Sequence, residues 1–272
     1  MIREARRAWR IALRLTALNL RAQLEYRVEF LLNVAVGAIW QISVILFATV
    51  LLTRFPGMGG WSSGQVLLLA SMRLLSHGLQ VLFFSRVTWV YYATYSGQLE
   101  AFLLRPMPVY RQVQLQFFPT NAIGDLAVAV TLFTGAVWRV DVDWTPVRAG
   151  YLAAAVVGGM LMEAAMMTVL SAVGLHAPAT QYWTQWVEEV LATLGSYPLN
   201  ILPKLVGGIL TFVLPLAFVS YLPAAVITGH QDDLGVPAWL AVSAPLVGLL
   251  AFVASHRLWR FSLRHYKGIA SR

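Results

Sequence analysis

Residues 30–52 read FLLNVAVGAIWQISVILFATVLL, 23 positions without one ionisable side chain. A helix rises about 1.5 Å per residue and the hydrocarbon core of a bilayer is about 30 Å thick, so a run of this length and polarity can cross a membrane. The rest of the chain agrees with that reading. Of its 272 residues 58% are hydrophobic and only 12% are charged, and the mean hydropathy is +0.67. An ordinary soluble domain carries about 25% charged residues.

Comparable apolar runs recur at 64–86, 112–137, 148–174, 204–228 and 238–259, which makes six expected spans. A glycine-rich turn with Trp61 at the interface joins the first two, and the polar hairpin WRVDVDWTPVR joins the third and fourth. Residues 176–200, HAPATQYWTQWVEEVLATLGSYPLN, contain Glu188 and Glu189 and read as an interfacial helix and loop. The fifth run is interrupted by Pro215 and Pro223. A broken helix persists in a membrane only where neighbouring protein satisfies the freed backbone groups.

Residues 1–27 interleave Arg3, Arg6, Arg7, Arg10, Arg14 and Arg21 with Trp9, Ile11, Leu13, Leu18 and Leu20. Helical spacing turns this into one basic and one apolar face, the pattern of a helix lying on an anionic membrane surface. The apolar run that follows is too long for a signal-peptide core, so no cleaved leader is expected. We expect a single transmembrane domain over 1–272: the amphipathic helix 1–27, a six-span core 28–260, and a basic tail 261–272.

The net charge of +8 and the pI of 10.1 do not point to nucleic acid, because the basic residues gather at the chain ends rather than in a patch. Nearly all are arginine, with Lys204 and Lys267 the exceptions, which reads as composition rather than chemistry. Their distribution sets orientation. With the N-terminus inside, the inner segments hold the seven arginines before residue 28, Arg86, Arg105, Arg111, Lys204 and the C-terminal cluster, whereas the outer segments hold only Arg54, Arg139 and Arg148. The positive-inside rule therefore expects both termini in the cytoplasm. With no cysteine there is no disulfide, iron-sulfur or thiol chemistry, and the redox compartment stays open.

Between the second and third runs lies YSGQLEAFLLRPMPVY, residues 95–110. A helix over 97–105 places Leu99, Phe102 and Leu103 on one face, with Gln98, Glu100 and Arg105 elsewhere, and Pro106 ends it. Periodicity alone suits equally a helix docked in a groove of another protein and one resting on lipid. The element GQLEAFLLRPMP resembles the loop between the second and third helices of the six-helix ABC-2 type transporter permeases. SYPLNILP at 196–203 and LPLAFVSYLPAAVITG at 214–229 are similar to further pieces of the same family.

That resemblance implies a membrane subunit of an ATP-driven exporter. In such permeases the short cytoplasmic helix is the coupling helix, so Leu99, Glu100, Phe102, Leu103 and Arg105 are the implied contacts with a separate ABC-type ATP-binding subunit. ATP and Mg would be bound by that partner, and this chain would carry no cofactor. A second permease subunit, as homodimer or heterodimer, and membrane lipid complete the implied partners, in a bacterial cell membrane. The resemblance also implies a re-entrant turn on the outer side after the fifth helix, with Pro215, Tyr221 and Pro223 as an outer gate. The chain has no G-x-x-x-x-G-K-[ST], so it holds no phosphate-cradling loop of that type.

Arg73, Asp125 and Glu163 fall near the middle of their expected spans, and His77 lies one turn from Arg73. A charge at mid-bilayer costs at least about 2.5 kcal/mol, so these groups face protein or water and find partners. Arg73 is expected to pair with Glu163 or Asp125 and to tie three spans together. The set can be a packing pair, part of a substrate path, or a proton relay. The methionines of MLMEAAMM around Glu163 suit either helix packing or contact with a variable lipid-like substrate. Gly158, Gly159, Gly207 and Gly208 would allow close helix approach.

The alternative class is a proton-coupled secondary transporter using Asp125, Glu163 and His77. An intramembrane lipid enzyme lacks support, since no nucleophile–base constellation is visible. A structural scaffold explains neither the coupling-like helix nor the mid-span charges. HQDD, residues 230–233, does not define a closed metal site, so no metal is expected.

Overall fold

The computed structural model describes residues 2–54, 58–177, 180–231 and 234–266, and these form helices and turns without a strand. The amphipathic segment is helix α1 (Ile2–Glu25). Its polar face is anchored by Asn19, whose amide donates to the Leu115 carbonyl at 2.7 Å, and by Gln23, which donates to the Phe118 carbonyl at 2.9 Å. The chain bends at Tyr26 into α2 (Arg27–Arg54).

Helix α3 (Ser63–Phe84) begins at a reciprocal cap. The Ser62 hydroxyl accepts from the Gln65 backbone, and the Gln65 side chain accepts from the Ser62 backbone at 2.9 Å. Three short helices follow: α4 (Val90–Tyr95), α5 (Gln98–Leu103) and α6 (Val109–Gln114). Gly97, with φ of +74°, makes the reversal between α4 and α5 that a side-chain-bearing residue would resist.

The long helices α7 (Asn121–Arg139) and α8 (Pro146–Gly174) form the next hairpin, α8 being capped by the Thr145 hydroxyl with Pro146 at its first position. Then come α9 (Thr180–Leu194), α10 (Lys204–Phe212), α11 (Tyr221–Thr228), α12 (Ala238–Val242) and α13 (Ala244–Arg264).

Packing runs in the order α13, α8, α3, α7, α2. Two crossings depend on glycine. A Cβ on Gly124 of α7 would overlap the Val34 carbonyl of α2, and one on Gly248 of α13 would overlap the Gly158 carbonyl of α8. Gly159 lies against Ser76 and the Val219 carbonyl, whereas Gly207 and Gly208 sit in open surroundings and mediate no such approach.

Among the described residues four helical stretches are long and apolar enough to cross a membrane: Arg27–Leu46, Ser63–Tyr95, Asn121–Arg139 and Pro146–Gly174. Three expectations change. The third run begins at Asn121 rather than near 112, because Pro119 lacks an N–H and drives its predecessor out of helix, leaving α6 as a separate turn-and-a-half. The sixth run is split at Ser243 into α12 and α13.

The largest change concerns 176–228. The run 204–228 is not one through-going helix but two short ones hinged around Pro215, and both ends of the pair lie at the Trp61 end of the bundle. Just before α10, the Asn200 amide donates to the Gly59 carbonyl at 2.7 Å. Just after α11, His230 stacks on Trp61 at 4.8 Å. The segment expected to be interfacial forms α9, which packs on α8 and passes α3 at its two ends. Gly195 meets the Arg73 side chain near one end, and Gln185 shares a wall with Ser85 and Arg86 at the other. Val187 and Leu191 are buried on its inner side. Glu188 and Glu189 of this helix face a groove.

Candidate functional site

The mid-span charges divide into two groups. Arg73 of α3 and Glu163 of α8 are each 1% exposed, with Nε and Oε1 3.7 Å apart. Neither atom has a hydrogen-bond partner among the described residues, so the contact is coulombic. His77, one turn further along α3, places Nδ1 2.9 Å from Glu163 Oε2. Ser76 adds a neutral tie, its hydroxyl donating to the Val156 carbonyl at 3.0 Å. Glu163 thus receives two side chains of α3, and α3 and α8 are clamped at one level.

Asp125 of α7 stands apart. It is 3% exposed and accepts from Asn121 Nδ2 at 3.4 Å, with the Gln41 amide of α2 also against it. Arg73 and His77 both make their ion contacts to Glu163 instead.

His77 and Asp125 open onto a groove of ≈ 660 Å³ between α2, α3, α7 and α9, whose α9 wall carries Gln185, Glu188, Glu189 and Ala192. A hollow of ≈ 370 Å³ continues it along Trp40, Glu189 and Ala192 to Tyr197. In the other direction a cleft of ≈ 570 Å³ shares Arg86, Trp89 and Asn121 with it and reaches Tyr26 and Phe117 beside α1. Sequence reasoning missed Glu188 and Glu189 as members of this wall, and Gln41 as the buried amide beside Asp125. The available signal was spacing: Gln185, Glu188 and Glu189 share one helix face, opposite the buried Val187 and Leu191.

A second candidate surface lies where α5 meets the C-terminal ends of α8 and α13. The expected partner contacts separate here. Leu99 is fully buried and Phe102 nearly so, both inside this chain's own core, so they are not available to another protein. Apolar side chains on a six-residue helix pack first against the nearest apolar surface, here their own bundle. Gln112 fixes the helix, donating to the Phe102 carbonyl at 2.8 Å and the Met107 carbonyl at 2.6 Å.

What faces outward is Leu103, Leu104, which is 87% exposed, and Arg105, whose guanidinium lies over the Phe102 ring at 5.6 Å. Glu100 accepts from the Tyr266 hydroxyl at 3.4 Å, which brings α5 to the end of α13. Tyr110 of α6 contacts Thr168 of α8 and packs edge-on to Trp259 of α13. Burial pushes its phenol above its ordinary pKa, so it serves as a neutral hydrogen-bonding group.

Pro215, Tyr221 and Pro223 do not form one cluster. Tyr221 stands 5.8 Å from Trp61, with Pro223 buried nearby on α11. Pro215 sits at the far apex of the α10–α11 pair and lines an apolar hollow of ≈ 580 Å³ with Met162 and Met166. Of HQDD, His230 is engaged with Trp61, and Asp232 and Asp233 lie outside the described residues. Among the described residues no group of three or more His, Asp or Glu is placed to hold a metal.

Residues 38–270 match the family model described as ABC-2 family transporter protein. No curated protein and no solved structure gives a significant match to the chain.

Proposed function

Because the chain belongs to the ABC-2 family of transporter proteins, membrane transport domains without an ATPase site of their own, we propose that it is the membrane-spanning permease subunit of an ATP-driven exporter. It works with a separate ATP-binding subunit that holds ATP and Mg, and with a second permease subunit. The observation that carries this reading is α5: a short helix pinned from beneath by Leu99 and Phe102, presenting Leu103, Leu104 and Arg105 beyond the ends of α8 and α13.

Both termini lie in the cytoplasm, and α2, α3, α7, α8, α9 and α13 are the six crossings. The α10–α11 pair dips in from the outer face and returns, which the Asn200–Gly59 and His230–Trp61 contacts support. Lys204 then belongs to the outer side, and the inner excess of arginine is unaffected. ATP closes the partner subunits around α5. Since α5 is anchored to α6 and α13, its displacement moves the crossings instead of being absorbed in a loop. ATP drives the cycle only through its differential affinity for the two states.

Gln185, Glu188 and Glu189 are exposed on one face of α9, which as a crossing would hold them within the bilayer. Such groups cannot face lipid tails, so the α2–α9 face is where the second permease stands and where cargo passes.

The test is gentle extraction of the tagged chain from its own membrane and identification of what accompanies it. A stoichiometric ATP-binding subunit, retained in Phe102→Leu and lost in Leu104→Asp and Arg105→Glu, is the expected result. Recovery of the chain alone, with transport in ATP-free vesicles driven by a proton gradient, would overturn it. That outcome would favour the secondary-transporter reading, for which the 2.9 Å contact of His77 with Glu163 is the supporting observation.

A further inference from the structure

The charges lining the groove do not balance. Its walls carry the carboxylates of Asp125, Glu188 and Glu189, and none of these makes an ion pair among the described residues. The Arg86 guanidinium and the His77 imidazole reach the same groove. His77 is bonded to Glu163, and Arg86 lies against the Trp89 ring, 5.7 Å from its centre. Asp125 is the telling member. It is almost wholly buried, lies on the groove wall, and has only neutral amides as hydrogen-bond neighbours. Arg73 and His77 act on it only through space, their direct contacts being spent on Glu163, so a cation arriving from outside the chain would stabilise this buried carboxylate.

The shape and lining describe that cation. The groove's ≈ 660 Å³ lies within the range of small-molecule sites. Trp40 and Trp89 expose their rings on its rim, and the faces of indole rings attract cations. Its extensions carry aromatic and apolar side chains in both directions, Val44 and Tyr197 at one end and Tyr26, Phe30 and Phe117 at the other, the latter interleaved with polar groups such as Asn19, Gln23 and Glu29. A bare metal ion does not fit, because among the described residues the acidic groups are not gathered closely enough to coordinate one.

We propose that this groove binds amphiphilic organic cations, with the positive charge held between Asp125 and the α9 carboxylates and the apolar body against Trp40 and Trp89. The inference rests on the transport reading above and names the chemical class of its cargo. The cleft beside α1 gives such a molecule a route from the cytoplasmic leaflet, since it shares Arg86, Trp89 and Asn121 with the groove. An amphiphilic anion of the same shape is excluded, because it would face three carboxylates.

The experiment uses the full chain in lipid nanodiscs without any ATP-binding subunit, and two probes of the same shape and opposite charge, tetraphenylphosphonium and tetraphenylborate. After subtraction of empty nanodiscs, saturable binding of the phosphonium and none of the borate is expected. Loss of one charge-assisted contact should raise the phosphonium Kd about tenfold in Glu189→Gln and in Asp125→Asn. Asp141→Asn, on the exposed hairpin after α7, should leave it unchanged. Glu189 is exposed, so its variant reads the site even where Asp125→Asn does not fold.

Equal binding of both probes, or an unchanged phosphonium Kd in folded Glu189→Gln, overturns the inference. Co-purification of the ATP-binding subunit is scored on the same variants. Lost cation preference with the subunit retained defeats the cargo class alone, and retained preference with no subunit defeats the exporter reading alone.

Discussion

Arg73 and Glu163 meet in the middle of the bundle with 3.7 Å between Nε and Oε1, each 1% exposed, and His77 closes on the other carboxylate oxygen at 2.9 Å. The contact joins α3 to α8, the two most buried of the four candidate spans, at a level where neither side chain is open to water. A pair of this kind contributes little net stability when intact, yet removing one partner strands the other.

Arg73→Gln or Glu163→Gln alone should therefore destabilise the fold by about 3–5 kcal/mol. The double variant Arg73→Met with Glu163→Leu should recover most of that loss, because no buried charge is left behind. Thermal melting of the four proteins in one detergent checks this. A double variant as unstable as the sum of the singles would show that the two residues do not act as a pair.

Gly124→Val should prevent assembly of α7 on α2. The added Cβ meets backbone, the Val34 carbonyl and the Ala38 nitrogen, which cannot rotate away. Overpacking of this kind costs about 1–3 kcal/mol or more. Gly208→Ala on α10, where nothing lies within 4 Å, should be neutral or stabilising by up to about 1 kcal/mol from helix propensity. Equal melting temperatures for the two variants would contradict the close α2–α7 crossing.

The two leucines of the α5 region should behave oppositely. Leu99→Ala removes a fully buried side chain and should cost about 2–5 kcal/mol. Leu104→Ala removes an exposed one and should leave melting unchanged while weakening capture of the ATP-binding subunit. A partner contact made through Leu99 would require α5 to leave its seat, and would appear as loss of binding in Leu99→Met with no change in stability.

The absence of native cysteine makes sidedness directly measurable. A single cysteine at Lys204 should react with a membrane-impermeant maleimide from the side that labels Asp141→Cys, and Leu104→Cys should react only from the opposite side. Labelling of Lys204→Cys together with Leu104→Cys would return 204–228 to a through-going span and remove α9 from the core.

Much of this molecule is legible in its sequence. The run 30–52 and the amphipathic helix before it are local patterns, and local patterns become helices wherever the chain is placed. The coupling-like stretch 95–110 was visible for the same reason. Its orientation was not. Periodicity identifies the apolar face carrying Leu99 and Phe102 without saying whether that face meets this chain or another.

Hydropathy and spacing determined by themselves that the chain is helical, lies in a membrane and carries ionisable groups at bilayer depth, because each of these properties is a sum over neighbouring residues. Tertiary structure alone decided that Arg73 faces Glu163 rather than Asp125, that α9 packs on α8, and that 204–228 is two helices whose flanks return to Gly59 and Trp61. It alone made Glu188 and Glu189 a groove wall. Those outcomes depend on which helix faces which. A glutamate pair lowers the hydropathy of a segment equally whether it points to open water or to a polar groove, and only the packing of α9 on α8 places this pair in the groove wall.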